Sequence, residues 1–259
     1  QAEALQLVAD DIIGLAIVSG TQLENLNDDF IVFNMPKAFD SVEHQMRVIN
    51  DPEIVGELFT SLEADNNITV LGGFTQGARH IYANRPVTTP AEMSGLRIRV
   101  QESALHLAMI DAMGGSATPM AYGEVYTALQ SGVLDGAENN EVSYFTQSHY
   151  EVADHWSYTA HLVGLDYMIM NTSALEELTD EDREMFLDEW TTTYEFHTEL
   201  WVDETEVATE GAKAGGATFH EVDLEAFDEA LEPLQDRFLT TDFQRELWDA
   251  TRAVADEVN

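Results

Sequence analysis

Arginine is the residue type whose distribution in this chain most clearly suggests chemistry. Two lysines and nine arginines oppose 49 acidic side chains, and four of the arginines lie between positions 79 and 99. A guanidinium group grips a carboxylate through two parallel hydrogen bonds, which lysine cannot do. This cluster suggests a binding site for a small carboxylate, although pairing with surface acids stays open as an alternative. The four residues are Arg79, Arg85, Arg97 and Arg99.

The acidic composition excludes several classes of partner. A formal net charge of −38 repels nucleic acids and anionic lipid headgroups, so neither is expected to bind. The acids are spread along the whole chain, which is typical of a solvated surface, and concentrated salt would screen their repulsion. A halophilic source and an exposed compartment fit this pattern. No apolar run is long enough to cross a membrane, and no signal peptide is visible after Gln1.

Catalytic signatures are missing from the sequence. It contains no Gly-x-Ser-x-Gly elbow, no phosphate-binding Gly-x-x-x-x-Gly-Lys loop and no His-Glu-x-x-His pair. His149, His155 and His161 are spaced by six, which places them on no common helical face, and we expect each to be an ordinary hydrogen-bonded histidine. The absence of cysteine excludes disulfides and thiol chemistry. We therefore expect a protein without enzymatic activity and without a cofactor.

The elements that must position the arginines alternate between strands and helices, which predicts an α/β architecture. In the predicted strand 96–100, Arg97 and Arg99 point to one face and the apolar residues to the other. Gly72-Gly73 predicts the end of one strand, and a helix that starts at Thr179 persists to about Gly211, long enough to brace two lobes. The other predicted strands are 14–19, 68–71, 78–82, 133–137, 167–170 and 218–222.

The segment from Arg79 to Asn140 carries a recognisable pattern. Arg79 is followed by GLRIRV at 95–100 and by TPMAYGEVYTALQSGVLDGAENN at 118–140. This pattern resembles the DctP-type substrate-binding proteins of TRAP transporters, and the resemblance extends from the opening strand to the long helix near Trp201. Members of that family begin with a strand–helix–strand unit that is expected to be missing before Gln1.

The resemblance implies a two-lobed, periplasmic-binding-protein-like α/β fold with crossover strands and a long shared helix. Residues 1–76 and 165–204 would form the first lobe, and residues 77–164 and 205–259 the second. The two lobes would close over a ligand by hinge motion. The resemblance also implies a periplasmic protein, expected to be a monomer, that delivers its ligand to TRAP membrane permease subunits.

The resemblance further implies the ligand contacts. Arg99 looks like the arginine that clamps the substrate carboxylate, and Arg79 looks like a second arginine that contacts the ligand directly or supports the first. Asn139 matches an asparagine that donates to the carboxylate or to an adjacent hydroxyl group. Tyr122 stands where the family carries an aromatic beside the ligand, and Glu102 is a candidate acceptor for substrate hydroxyls. Glu138 is a weaker candidate for a ligand contact, and a purely structural role stays open as an alternative.

The resemblance predicts the class of ligand but does not single out one acid. The segments at 101–103, 122–126 and 138–140 look closest to family members that take sugar acids such as hexuronates. C4-dicarboxylates, other hydroxy acids and aromatic acids stay open. Two other function classes also stay open, namely a sensory ligand-binding module and an enzyme built on the same scaffold.

Overall fold

The computed structural model describes the backbone of residues 2–258 and the side chains of residues 2–255. One mixed sheet has the strand order β1-β6-β2-β5-β3-β4, with β7 added beside β6, which confirms the predicted α/β class. The strands are β1 (Leu15–Ser19), β2 (Ile68–Ala83), β3 (Arg97–Val100), β4 (Ser116–Pro119), β5 (Gly136–Asn139), β6 (His155–Asn171) and β7 (Thr218–His220).

Helices connect and flank the strands, and the longest of them is α10, with 35 residues. None of the described helices combines the length and the apolar character that crossing a membrane requires. The helices are α1 (Ala2–Ala9), α2 (Gly20–Glu24), α3 (Val42–Ile49), α4 (Pro52–Thr60), α5 (Glu63–Asn66), α6 (Ala104–Ala112), α7 (Val125–Gln130), α8 (Glu141–Thr146), α9 (Thr172–Glu176), α10 (Asp180–Ala214), α11 (Leu224–Leu231), α12 (Pro233–Phe238) and α13 (Asp242–Val258). Short 3-10 turns occupy Asp28–Asn34, Pro90–Met93, Tyr122–Glu124 and His149–Glu151.

The long antiparallel pair β2 and β6 forms the centre of the sheet. The prediction that Gly72-Gly73 ends a strand is wrong, because β2 continues through both glycines to Ala83. Gly72 has a φ of 154° and lies where the register shifts, so the glycines form a bulge inside the strand instead of a stop. The predicted strands 68–71 and 78–82 are therefore parts of one strand.

Two further predicted strands differ from the observed strands by more than two residues. The predicted strand 133–137 is displaced to β5, because the amides of Val133 and Leu134 bond back to the carbonyl of Ala128 and close a turn. Glu138 and Asn139 consequently lie within a strand. The predicted strand 167–170 is the end of β6, which begins at His155 and carries polar residues along its first half.

Helix α10 docks on β2 at two glycines. It begins after Thr179, in agreement with the predicted start, and the side chain of Thr179 caps it by accepting a hydrogen bond from the amide of Asp182. A Cβ atom added at Gly72 would lie 2.7 Å from Nε1 of Trp190, and one added at Gly77 would lie 2.7 Å from Nε1 of Trp201. The absence of side chains at Gly72 and Gly77 thus leaves room for the rings of Trp190 and Trp201.

The C-terminal helix α13 packs against α3. Nε2 of His44 lies 2.8 Å from the carbonyl oxygen of Thr251, and Arg252 forms a two-pronged contact with Asp40 at 2.7 and 2.8 Å. A division of the chain that follows these contacts would assign α13 to the same lobe as α3. The boundaries of the two lobes stay a prediction.

Buried polar contacts join the β1–α2 segment to the segment between β3 and α6. Gln101 donates to the hydroxyl of Ser19 at 2.9 Å, and Ser103 donates to Glu24 at 2.7 Å. Asn34 donates to the other carboxylate oxygen of Glu24 at 2.6 Å. Burial raises the pKa of Glu24 to about 7 in spite of these two hydrogen bonds.

We predict that Gly77→Ala destabilises the fold. The substitution forces a left-handed φ of 66° on alanine and pushes its methyl group against Trp201. The expected loss is about 1–3 kcal/mol in the free energy of unfolding, measured by urea titration. Gly14→Ala is the matched control, because nothing lies within 4 Å of the added Cβ at that position. Equal losses in the two variants would contradict the packing described for Trp201.

We also predict that Glu24→Gln stabilises the protein at high pH. Because the folded pKa of Glu24 lies near 7, above its ordinary value of 4.5, folding becomes less favourable as the pH rises between these values. Glutamine can still accept from Asn34 and interact with Ser103 without that penalty. The variant should gain at most about 3 kcal/mol at pH 8 and much less at pH 5, measured by urea unfolding.

Exposed Glu195 on α10 provides the control for the removal of one negative charge. Glu195→Gln should show no comparable difference between pH 5 and pH 8. A gain from Glu24→Gln that is equal at both pH values would show that burial of this carboxyl is not the cause.

Candidate ligand-binding cavity

A cavity of about 460 Å³ opens where several strands end. Strands β3, β4 and β5 run parallel, and the residues at or just after their carboxyl ends line the cavity. This is where α/β sheets commonly bind ligands. All five residues that the sequence singles out line the same cavity, namely Arg79, Arg99, Glu102, Tyr122 and Asn139.

Arg99 enters the cavity from β3 and is only 4% exposed. Its Nε and Nη2 atoms both donate to the carbonyl of Met120, at 2.9 and 2.8 Å, which fixes the plane of the guanidinium group. Both N–H groups of Nη1 and one of Nη2 make no hydrogen bond to any described residue. No carboxylate of the described residues forms an ion pair with Arg99, and burial lowers the pKa of its guanidinium group. Arg99 therefore retains donors for an anion.

Arg79 is equally buried but has all five of its N–H groups occupied. Nε and Nη2 grip the carboxylate of Glu138 at 2.6 and 2.8 Å, and Nη2 also donates to the backbone carbonyl of Glu138 at 3.0 Å. Nη1 donates to Oε1 of Gln76 at 2.7 Å and to Oδ1 of Asn139 at 3.0 Å. The geometry favours the supporting role for Arg79 over direct contact with a ligand.

Glu138 is the fully buried partner of Arg79. Burial alone would raise the pKa of this carboxyl, but the charge of Arg79 and the neighbouring histidines outweigh it and hold the pKa well below its usual range. Nε2 of His161 lies 3.4 Å from Oε2 of Glu138, and Nδ1 of His161 contacts the hydroxyl of Thr159 at 2.9 Å. Glu138 does not line the cavity, so it acts as a structural partner of Arg79.

Asn139 is oriented by Arg79. Its Oδ1 accepts from Nη1 of Arg79 and, at 2.9 Å, from the backbone amide of Asn140. The hydrogen-bond network thereby assigns the oxygen of the amide, and the –NH₂ group is left as a donor at the cavity wall. Asn139 and Arg99 together provide several N–H donors and no acceptor.

Tyr122 and Glu102 lie nearer the mouth of the cavity. Tyr122 is half-buried at the start of a 3-10 turn, and its ring centre lies 5.9 Å from Cζ of Arg99, close enough for a cation–π interaction. Burial raises the pKa of its phenol. Glu102 is exposed, which places its carboxylate at the rim.

The remaining predicted histidines also have partners. Nδ1 of His149 lies 2.7 Å from the hydroxyl of Tyr82, and Nδ1 of His155 lies 2.9 Å from Nε2 of His220. No group of three or more acidic or histidine side chains within residues 2–255 is arranged to hold a metal ion.

The cavity also contains acceptors that the sequence reading missed. Asp166, on β6, lines the cavity and accepts from Nε2 of Gln76 at 2.6 Å. Burial raises the pKa of Asp166 to about 6. The sequence does contain an indication of a functional role for Asp166, because it is the one charged residue in the apolar stretch 162–170. Trp201 from α10 and Gln22 from α2 also line the cavity, and neither was predicted as a site residue.

Comparison with known proteins identifies the family of this chain. The family model described as "Bacterial extracellular solute-binding protein, family 7", DctP, matches residues 1–242. A solute-binding protein of Chromohalobacter salexigens is 39% identical over 80% of this chain and 62% of its own length. The chain thus spans less than two thirds of that relative.

Solved structures share the fold over nearly the whole chain. A TRAP periplasmic solute-binding protein from Anaerococcus prevotii, with bound D-glucuronate, superposes with a TM-score of 0.94 at 37% identity. The match covers 98% of this chain and 83% of that one. Another, from Xanthobacter autotrophicus with bound β-D-galacturonate, gives a TM-score of 0.91 at 26% identity over 97% of this chain and 84% of that one.

These similarities confirm the predicted two-lobed α/β fold and the predicted family. The family consists of solute-binding proteins, in agreement with the expectation that the chain is not an enzyme. The chain belongs to family 7 of the bacterial extracellular solute-binding proteins, the DctP family.

Proposed function

We propose that this chain binds a hexuronate-type sugar acid in the cavity and delivers it, in the periplasm, to a TRAP membrane permease. The observation that carries the proposal is the state of Arg99, a buried guanidinium with free N–H donors beside the donor end of Asn139. Structures of similar proteins were solved with D-glucuronate and with β-D-galacturonate bound, which supports the class of ligand.

Electrostatics favour a carboxylate at Arg99. A buried cation without a counter-ion carries a desolvation cost, and a ligand carboxylate offsets that cost through charge-assisted hydrogen bonds. The overall charge of −38 repels anions from most of the surface, so the buried arginine determines where an acid binds. The ring of Tyr122 lies beside the guanidinium group, with 5.9 Å between the ring centre and Cζ of Arg99.

The size and the acceptors of the cavity favour a hydroxylated ligand. A volume of about 460 Å³ lies within the range of small-molecule sites, roughly 300–1,000 Å³. Asp166 and Glu102 are acceptors that suit hydroxyl groups, whereas a C4-dicarboxylate would bring a second negative charge towards them. Closure of the two predicted lobes over the ligand would exclude water and strengthen the contact with Arg99.

We predict that Arg99→Ala abolishes high-affinity binding. The loss of a buried charge-assisted partner costs about 2–5 kcal/mol, which weakens binding about 30- to 4,000-fold. Isothermal titration calorimetry with D-glucuronate and with D-galacturonate measures the change. Arg97→Ala is the matched control, because Arg97 is exposed on the same strand and pairs with Asp135 at 2.7 Å outside the cavity. It should bind as the wild type does.

Wild-type affinity in Arg99→Ala would rule out the clamp. Tight binding of succinate by the wild type, with no binding of either hexuronate, would instead favour the C4-dicarboxylate alternative and leave the clamp intact.

A further inference from the structure

Two kinds of polar group in the cavity keep hydrogen-bonding capacity for a ligand. Arg99 and the –NH₂ group of Asn139 offer only donors. Asp166, on β6, offers only an acceptor when ionised. One of its oxygens, Oδ1, is held by Gln76 at 2.6 Å, and no described residue donates a hydrogen bond to the other oxygen, Oδ2. The side chain is half-buried and lines the cavity, so the unbonded oxygen is available to a ligand.

One chain of hydrogen bonds links Asp166 to Asn139. Gln76 donates to Asp166 through Nε2 and accepts from Arg79 through Oε1 at 2.7 Å, so both ends of its amide are fixed. Arg79 in turn donates to Oδ1 of Asn139 at 3.0 Å. These hydrogen bonds position Asp166 relative to Asn139 in this structure, as recognition of a sugar ring requires.

We propose that Asp166 is a specificity residue that accepts a hydrogen bond from a ligand hydroxyl and rejects ligands with a second carboxylate at that position. This inference rests on the proposed function, since it assumes that the ligand carboxylate lies at Arg99. A hydroxyl group satisfies Oδ2, whereas a second carboxylate places like charges together in a site with little water. The raised pKa of Asp166, caused by burial, agrees with a carboxylate that lacks a full set of donors.

The test compares wild type with Asp166→Asn. Asparagine keeps the size of the side chain and an oxygen for Gln76, but it presents an –NH₂ group in place of Oδ2. Calorimetry uses D-glucuronate, D-galacturonate and the dicarboxylate D-glucarate. The variant should bind the hexuronate preferred by the wild type about 10- to 100-fold more weakly and should gain affinity for D-glucarate.

Asp154→Asn is the matched control, because Asp154 precedes β6 and its side chain is 59% exposed. It should leave all three affinities unchanged. A second measurement needs no variant of the protein. Among hexuronates that each lack one ring hydroxyl, one should bind wild type about 10- to 100-fold more weakly than the parent ligand, and this loss should vanish in Asp166→Asn.

The results distinguish failure of the role proposed for Asp166 from failure of the proposed function. If the wild type binds a hexuronate but Asp166→Asn binds it equally well, or if no single hydroxyl matters, the role of Asp166 is refuted and the proposed function stands. If the wild type binds neither hexuronate, the proposed function fails and this inference fails with it.

Discussion

The buried ion pair between Arg79 and Glu138 organises the cavity. Both side chains are at most 2% exposed, and removing either partner would leave an uncompensated charge in the interior. Because Glu138 takes three of the five N–H groups of Arg79, the other two are free to orient Gln76 and Asn139. Because Glu138 balances the charge of Arg79, the pair carries no net charge. Arg99 is therefore the cation that is available to an incoming acid.

The sheet explains why residues so distant in sequence converge on this pair. Arg79, Arg99, Asn139 and Asp166 come from β2, β3, β5 and β6, and neighbouring strands of the sheet bring them to one cavity. The bulges in β2 let α10 lie close enough to place Trp201 on the wall. The resulting cavity presents donors from Arg99 and Asn139 and an acceptor from Asp166, which matches a molecule that carries a carboxylate and hydroxyl groups.

Features determined by local sequence were predictable. Thr179 caps α10 and Ser103 caps α6 through hydrogen bonds within one turn, and the pattern around Arg99 lies within 62 residues. Features that depend on distant partners were not. The sequence around Gly72 predicts a strand end, and only the packing of Trp190 on this glycine shows that the strand continues. Asp166 lies close to Gln76 only because β6 pairs with β2. The occupied state of Arg79 likewise depends on Glu138, 59 positions away.

A crystal structure of the chain with D-glucuronate tests the central claim most directly. We expect the ligand carboxylate to accept hydrogen bonds from Nη1 of Arg99 and from Nδ2 of Asn139, with Arg79 still gripping Glu138. A carboxylate bound elsewhere, with Arg99 contacting Met120 alone, would contradict the account. So would a ligand that breaks the Arg79–Glu138 pair in order to bind Arg79 itself.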